Sequence, residues 1–157
     1  MHTAQNHISN DSRYSKLNTL YKSLKNKGPT YIGGDFNARL QGKEDQGETN
    51  RLIGNHLFNP KSLREHLHES MQENKNKLIE FVSEHKLILA NTWFQKGDNK
   101  LATHKAPDTT PQSPLKRPYY DTIDYWLVPQ RWKNSITNCG SDMAANVKSD
   151  HFPLTIT

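Results

Sequence analysis

The segment Gly33-Gly34-Asp35-Phe36-Asn37 directly follows the short apolar run Tyr31-Ile32 and places a carboxylate and a carboxamide two residues apart. If the apolar run begins a β-strand, side chains two residues apart point to the same face, so Asp35 and Asn37 would lie side by side at the strand end. A carboxylate binds a hard metal ion, and an amide donates to a phosphate oxygen or orients a water molecule. The segment therefore indicates metal-dependent phosphoester chemistry.

Asp124 and the pair Asp150-His151 lie far downstream and could complete such a site. Asp124 falls in the predicted strand 122–128, where an unpaired carboxylate among β-forming apolar residues would be costly. Each motif alone has a simpler interpretation, because Asp35 and Asn37 could form an Asx-turn and Asp150-His151 could be a surface loop. Since the motifs agree in structural context, we favour one shared site over coincidence.

The composition of the 157-residue chain fits one domain with a thin core, since hydrophobic residues make up 32% and the mean hydropathy is -0.94. Either much of the chain is solvated loop, or part of the domain is missing. The net charge of +5 favours a polyanionic partner such as nucleic acid. The single cysteine, Cys139, excludes an internal disulfide and is expected to be buried. No apolar stretch resembles a signal peptide or a membrane span, which predicts a soluble intracellular protein.

Hydrophobic spacing predicts two amphipathic helices, one over residues 11–27 and one that begins near Ser70. A long polar loop is expected over 41–69. The predicted strands are 30–34, 87–92, 101–104, 122–128, 135–139 and 152–157. This order predicts an α/β domain with a mixed sheet and helices on one face. No helix separates the last strands, so we expect them to be antiparallel.

Three short motifs stand in a fixed order along the chain: Gly34-Asp35-Phe36-Asn37, Ile123-Asp124-Tyr125 and Ser149-Asp150-His151-Phe152-Pro153. Together they resemble the endonuclease/exonuclease/phosphatase superfamily. The stretches 34–39, 90–94 and 123–128 are most similar to retroelement-type (non-LTR) endonuclease domains and to the related craniofacial-development-like proteins. The resemblance covers nearly the whole chain and implies the DNase I-like fold, a four-layer α/β/β/α sandwich.

The resemblance also implies a role for each motif residue. Asp35 matches the carboxylate that orients or deprotonates the attacking water, and Asn37 matches the amide that holds that water or a phosphate oxygen. His151 matches the histidine that contacts the scissile phosphate, and Asp124 matches the aspartate that bonds its other ring nitrogen. Asp150 matches a metal-binding carboxylate, with Mg²⁺ or Mn²⁺ as the implied cofactor and DNA as the implied substrate. The charge that develops on the phosphate oxygens would be offset by the ion and the imidazole.

Three further sets of residues are open to a functional interpretation. Lys105 and Arg117 flank a proline-rich loop, and a loop near that position can enter a DNA groove in the resembled family, although a solvated basic loop is the plainer account. His104 stands where relatives often have an aromatic residue, so we expect it to be structural. The segment 65–69 invites a zinc site, but a solvated polar segment is favoured because no further spaced ligand is evident.

The chain departs from the resembled family at its beginning. The N-terminal half of that fold supplies an early asparagine and a metal-binding glutamate, whereas this chain begins where the second half begins, with His2 as a remnant of the first. Residues 1–157 are therefore predicted to form a single partial domain. Glu44, Asp45 and Glu48 give no argument for replacing the lost glutamate. We expect weaker magnesium binding and little or no nuclease activity from this chain alone.

Two alternatives to an endonuclease remain. The same fold could act as a phosphatase on phosphoinositide or sphingolipid headgroups, or the chain could be a catalytically inert remnant that at most binds nucleic acid. A retroelement origin would imply a longer polyprotein with a reverse transcriptase and a nuclear location. None of these interpretations includes a membrane partner.

Overall fold

The computed structural model shows a protein of mixed helix and strand. It divides into two compact units, Met1–Thr30 and Tyr31–Thr157. The residues that the structure describes are 10–40, 51–59 and 69–157. The first unit carries helix α1, Asn10–Leu24, which has an acidic residue in its first turn and a lysine in its last turn, as the helix dipole favours. The helix predicted over 11–27 is thus confirmed, with an end three residues earlier.

In its described residues, the second unit contains one long helix, short strands and three short 3-10 turns. Helix α2 runs over Glu69–His85. The strands are β1 Ile32–Asp35, β2 Leu87–Leu89, β3 His104–Lys105, β4 Tyr120–Asp121, β5 Asp124–Pro129, β6 Cys139–Ser141 and β7 Leu154–Ile156. The 3-10 turns are Ala90–Thr92, Asp98–Lys100 and Gln130–Ser135.

Strand β5 is the centre of the main sheet, whose strand order is β1-β5-β2. It pairs antiparallel with both neighbours. Its residues from Tyr125 onward are buried or half-buried on both faces, which suits a central strand. The register places Asp35, the last residue of β1, directly opposite Asp124, the first residue of β5. Two of the predicted site residues therefore meet at one end of this sheet.

Helix α2 and strand β2 form a tight helix-to-strand connection. The helix buries Leu78, Phe81 and Val82, as its apolar spacing predicted. Lys86 adopts a positive φ of 51° between the two elements. Such a left-handed residue ends a helix, and here it lets the chain turn directly into the fully buried strand β2.

The remaining strands form two small sheets, β3-β4 and β6-β7, both antiparallel. The expectation of antiparallel pairing among the last strands is confirmed. The expectation of one mixed sheet is wrong for the described strands, because the strand pairs form three separate antiparallel sheets. An isolated parallel bridge joins Ile53 to Leu89. The four-layer sandwich stays a prediction.

Two predicted strands are shortened or replaced by 3-10 turns. The strand expected over 87–92 ends at Leu89, because the Thr92 hydroxyl donates to the Leu89 carbonyl at 2.7 Å and residues 90–92 form a 3-10 turn. The weak strand expected over 135–139 is largely absent, since a 3-10 turn ends at residue 135 and β6 begins only at Cys139.

Cys139 lies in the core formed with Leu52, Ile88, Ala90 and Val128. Burial raises the pKa of its thiol to about 12, which makes it an unreactive core residue, as predicted. Among the residues that the structure describes, no helix combines the length and the apolar character needed to cross a membrane.

Candidate functional site

The candidate site centres on the imidazole of His151. Its Nδ1 lies 3.0 Å from Oδ2 and 3.2 Å from Oδ1 of Asp124. Its Nε2 lies 3.9 Å from Oδ2 of Asp35 on the opposite side of the ring. The Asp124 carboxylate is only 15% exposed, whereas the ring is 33% exposed. The ring is therefore held at one nitrogen by a sheltered carboxylate and offers its other nitrogen to the solvent side.

Two carboxylates face each other across the sheet at this point. Asp35 and Asp124 are direct cross-strand partners, an arrangement that like charges make unfavourable. His151 contacts both of them, so its positive form offsets their repulsion. Such a cost at the end of a short strand is more typical of a functional site than of a structural one.

The charges around His151 set its protonation. Burial alone lowers the pKa of the ring, but the hydrogen bond to Asp124 and the negative charges of Asp124, Asp35 and Asp150 outweigh burial. The pKa of His151 is consequently raised above its usual value. At neutral pH a larger share of the ring is protonated than in a free histidine, which suits contact with an anionic ligand.

Backbone pairing with Thr103 and strand β3 holds His151 in place. His104 and His151 form an antiparallel bridge. The N–H of Phe152 donates to the carbonyl of Thr103 at 2.7 Å, and the N–H of Lys105 donates to the carbonyl of Asp150 at 2.9 Å. These two bonds fix the backbone on either side of His151.

Two buried polar residues fix the position of Asp124. The Thr103 hydroxyl accepts the N–H groups of Ile123 and Asp124, each at 3.1 Å. The Asn91 amide donates to the carbonyl of Asp124 at 3.1 Å and accepts the N–H of Trp126 at 3.4 Å. The sequence analysis assigns neither Thr103 nor Asn91 to the site. The signals for Asn91 were a polar residue near the end of the buried run 87–92 and its position in the resembled stretch 90–94.

Asn37 does not lie beside Asp35 on a strand. Strand β1 ends at Asp35, and Asn37 has a positive φ of 46°. Its backbone N–H donates to Oδ1 of Asp35 at 2.7 Å, which is the Asx-turn considered as the simpler interpretation. The same-face expectation is therefore wrong, because the Asp35 side chain ends the strand by capping the next turn.

Asp150 lies on the exposed side of the site. Its carboxylate is 59% exposed and its Oδ2 is 3.7 Å from Nε2 of His104. The rings of His104 and His151 pack at 4.9 Å between centroids, tilted by 56°. One donor atom from each of these three residues lies within 4.8 Å of the others. His104 thus belongs to the site neighbourhood, which its expected structural role did not anticipate.

The two basic residues predicted to bind substrate lie in different surroundings. Lys105 is exposed in β3, next in sequence to His104, and alternation along the strand directs its side chain to the opposite face. Arg117 is buried at 7% exposure. Its Nε lies 3.2 Å from Asp121, and its guanidinium donates to the Leu40 carbonyl at 3.0 Å. Arg117 therefore stabilises the fold and is not available to a DNA backbone.

Some sequence expectations fall on parts of the chain outside the described residues. These are the remnant His2, the acidic residues Glu44, Asp45 and Glu48, and residues 65–68 of the zinc alternative.

Comparison with known proteins gives similarity to one kind of curated protein. Craniofacial development protein 2 of Bos taurus and of Tragulus javanicus are each 30% identical to this chain over 122 residues. The match covers 77% of this chain but 17% of each relative, so the chain spans less than a fifth of the relatives' length. No family model matches. No solved structure matches. The resemblance to craniofacial-development-like proteins is confirmed as a similarity of 30% identity over 77% of the chain.

Proposed function

We propose that this chain carries a phosphodiester-hydrolysing site centred on His151, of the endonuclease type that its motifs resemble, with DNA as the substrate. The observation that supports it most is the Asp124–His151–Asp35 arrangement, with 3.0 Å and 3.9 Å contacts at the two ring nitrogens. The arrangement places a histidine between two carboxylates that oppose each other across a sheet, and a phosphoester site uses both kinds of group.

Each side chain has a task that follows from its surroundings. Asp124 accepts the Nδ1 proton, so it fixes the tautomer and orientation of the ring. The protonated Nε2 then donates to a non-bridging phosphate oxygen and offsets the charge that builds up there. Asp35 keeps one oxygen in the Asx-turn and has the other near the ring, where it can orient or deprotonate the attacking water.

The donor set near His151 suits a magnesium ion. Mg²⁺ is usually held by one or two carboxylates together with water and substrate phosphates. Asp35 and Asp150 are 47% and 59% exposed and lie close enough to act electrostatically on His151. Asp150 is the residue that would hold the ion, and the ion would act as a Lewis acid on the phosphate. With one exposed carboxylate as its protein ligand, the affinity for Mg²⁺ should be weak.

Charge favours nucleic acid as the source of the phosphodiester. The chain carries a net charge of +5, and the proline-rich loop carries the exposed Lys116 near its end. Basic residues neutralise the phosphate backbone and make binding salt-dependent. Because Arg117 is buried and the Lys105 side chain points to the face opposite His104, Lys116 is the better candidate for such a contact.

A single-turnover plasmid-nicking assay with millimolar Mg²⁺ tests the proposal. We expect slow, magnesium-dependent nicking that falls about 10²- to 10⁴-fold in His151→Gln and in Asp35→Asn. Lys86→Gln, at the end of the main sheet opposite to Asp124, is the matched surface control and should nick at the wild-type rate. Equal rates for wild type and His151→Gln would contradict the proposal.

The same assay separates the alternatives. Release of phosphate from soluble inositol phosphates without DNA nicking would support a phosphatase. Salt-sensitive DNA binding that Asp150→Ala leaves unchanged, with no hydrolysis of either substrate, would support an inert nucleic-acid binder, since backbone binding depends on cations rather than on the site.

A further inference from the structure

We propose that His104, Asp150 and His151 form a site for a borderline divalent ion of the Zn²⁺, Co²⁺ and Ni²⁺ class. This inference goes beyond the proposed function and does not depend on it. It starts from the bridge between His104 and His151. The backbone hydrogen bonds run between their neighbours, Thr103 with Phe152 and Lys105 with Asp150. The two histidines are therefore a non-hydrogen-bonded antiparallel pair, in which cross-strand side chains approach most closely.

The donor atoms of this cluster are near coordination distance. The donors of the three residues lie within 4.8 Å of one another, and Nε2 of His104 is 3.7 Å from Oδ2 of Asp150. Ligands at about 2.0–2.1 Å from a tetrahedral ion are roughly 3.4 Å apart, so binding must draw the donors together by up to about 1.4 Å. Asp150 is 59% exposed, so its side chain has room to adjust.

The kinds of donor select the ion. Two imidazoles and one carboxylate suit Zn²⁺, Co²⁺ and Ni²⁺, whereas Mg²⁺ prefers oxygen ligands alone. Three protein ligands leave a further position for a water molecule.

The surroundings of the two rings affect how well each can coordinate. Asp124 holds Nδ1 of His151, which leaves Nε2 for the ion, in the carboxylate–histidine–metal arrangement that strengthens a ligand. Nδ1 of His104 is buried and has no hydrogen-bond partner among the described atoms. When Nε2 of His104 coordinates the ion, Nδ1 carries a proton that has no acceptor. The affinity of the cluster for the ion should therefore lie well below that of a structural zinc site.

The site has a consequence for His151. An ion on its Nε2 would occupy the atom that the proposed function assigns to the phosphate. The borderline ion and a phosphodiester should therefore compete, and Mg²⁺ should not displace the borderline ion from the imidazoles.

Titration of the full chain with Co²⁺, followed by visible absorption, and with Zn²⁺, followed by calorimetry, tests the inference. We expect His104→Phe to weaken binding of both ions by about tenfold or more, since it removes one of three ligands. Asp150→Ser, an exposed substitution that should not disturb folding, should also weaken it. His56→Gln removes a histidine outside the cluster and should bind as wild type does.

Proton NMR of the wild-type chain gives a readout that needs no variant. Small additions of Ni²⁺ should broaden the ring signals of His104 and His151 before that of His56. Unchanged Co²⁺ and Zn²⁺ affinity in both His104→Phe and Asp150→Ser, or broadening confined to other histidines, would overturn the inference. Because no step uses DNA or hydrolysis, failure of the proposed function would leave this result intact.

Discussion

The contact between Asp124 and His151 should contribute measurably to stability, and a double-mutant cycle isolates its size. We consider Asp124→Asn, His151→Gln and the pair together. A hydrogen bond with a charged partner contributes about 1.5–3 kcal/mol. The ring is 33% exposed, so solvent screens it, and we expect a coupling near the lower end, about 1.5–2 kcal/mol. Asp35 is more distant at 3.9 Å and 47% exposed, so its coupling to His151 should be below about 1 kcal/mol.

The pH dependence of this coupling has a definite sign. Because the folded-state pKa of His151 is raised, its stabilisation is fully present below the unfolded pKa of about 6.5 and is lost as pH rises through the folded pKa. Urea unfolding in a chelating buffer should therefore show the full coupling near pH 5.5 and a smaller one near pH 9. Coupling below about 0.4 kcal/mol near pH 5.5, or coupling that grows as pH rises, would refute this reasoning.

Two further predictions concern the framework around the site. In urea unfolding, Gly33→Ala should destabilise the fold by about 1–3 kcal/mol, since a Cβ there would lie 2.7 Å from the Trp126 ring. Gly34→Ala is the control, because a Cβ there has nothing within 4 Å, and its stability should stay within about 0.5 kcal/mol of wild type. Equal losses of stability in the two variants would contradict this packing. Asp121→Asn should cost about 3–5 kcal/mol in the same assay, because it leaves the buried Arg117 without its anion. A loss below about 1 kcal/mol would show that this buried ion pair is not needed.

Strand β5 could be predicted because it carries its own signal, whereas the strand order and the division into separate antiparallel sheets could not. Its β-branched and aromatic residues are buried on both faces, which fixes a central strand. The carboxylate of Asp124 at its first position required a partner, and His151 supplies it at 3.0 Å. Here the sequence pattern and the tertiary structure agree.

The end of β1 could not be predicted from spacing. Alternation along a strand assumes that the strand continues, but the Asp35 side chain accepts the N–H of Asn37 and starts a turn. This local bond competes with the sheet, and a pattern of apolar and polar residues does not show which one prevails. The same competition shortens the strand predicted over 87–92, where Thr92 bonds back to Leu89.

The surroundings of Arg117 and His104 depend on contacts that are distant along the chain. Arg117 donates to the carbonyl of Leu40, and His104 meets His151 across a bridge. The sequence predicts an exposed basic residue at the first position, and the resemblance implies a structural ring at the second, because neither carries information on register. The register of the bridge places His104 opposite His151, and this position makes His104 a candidate ligand.

The central claim is that Nε2 of His151 receives a phosphate ester. Titration of the wild-type chain with a dinucleoside monophosphate, followed through the His151 ring signals by NMR in Mg²⁺ buffer, tests it most directly. A saturable shift of the His151 signals that leaves His56 unmoved, and that weakens in Asp150→Ser, is the predicted result. Saturable binding that leaves the His151 signals unperturbed, or no binding at all, would contradict it.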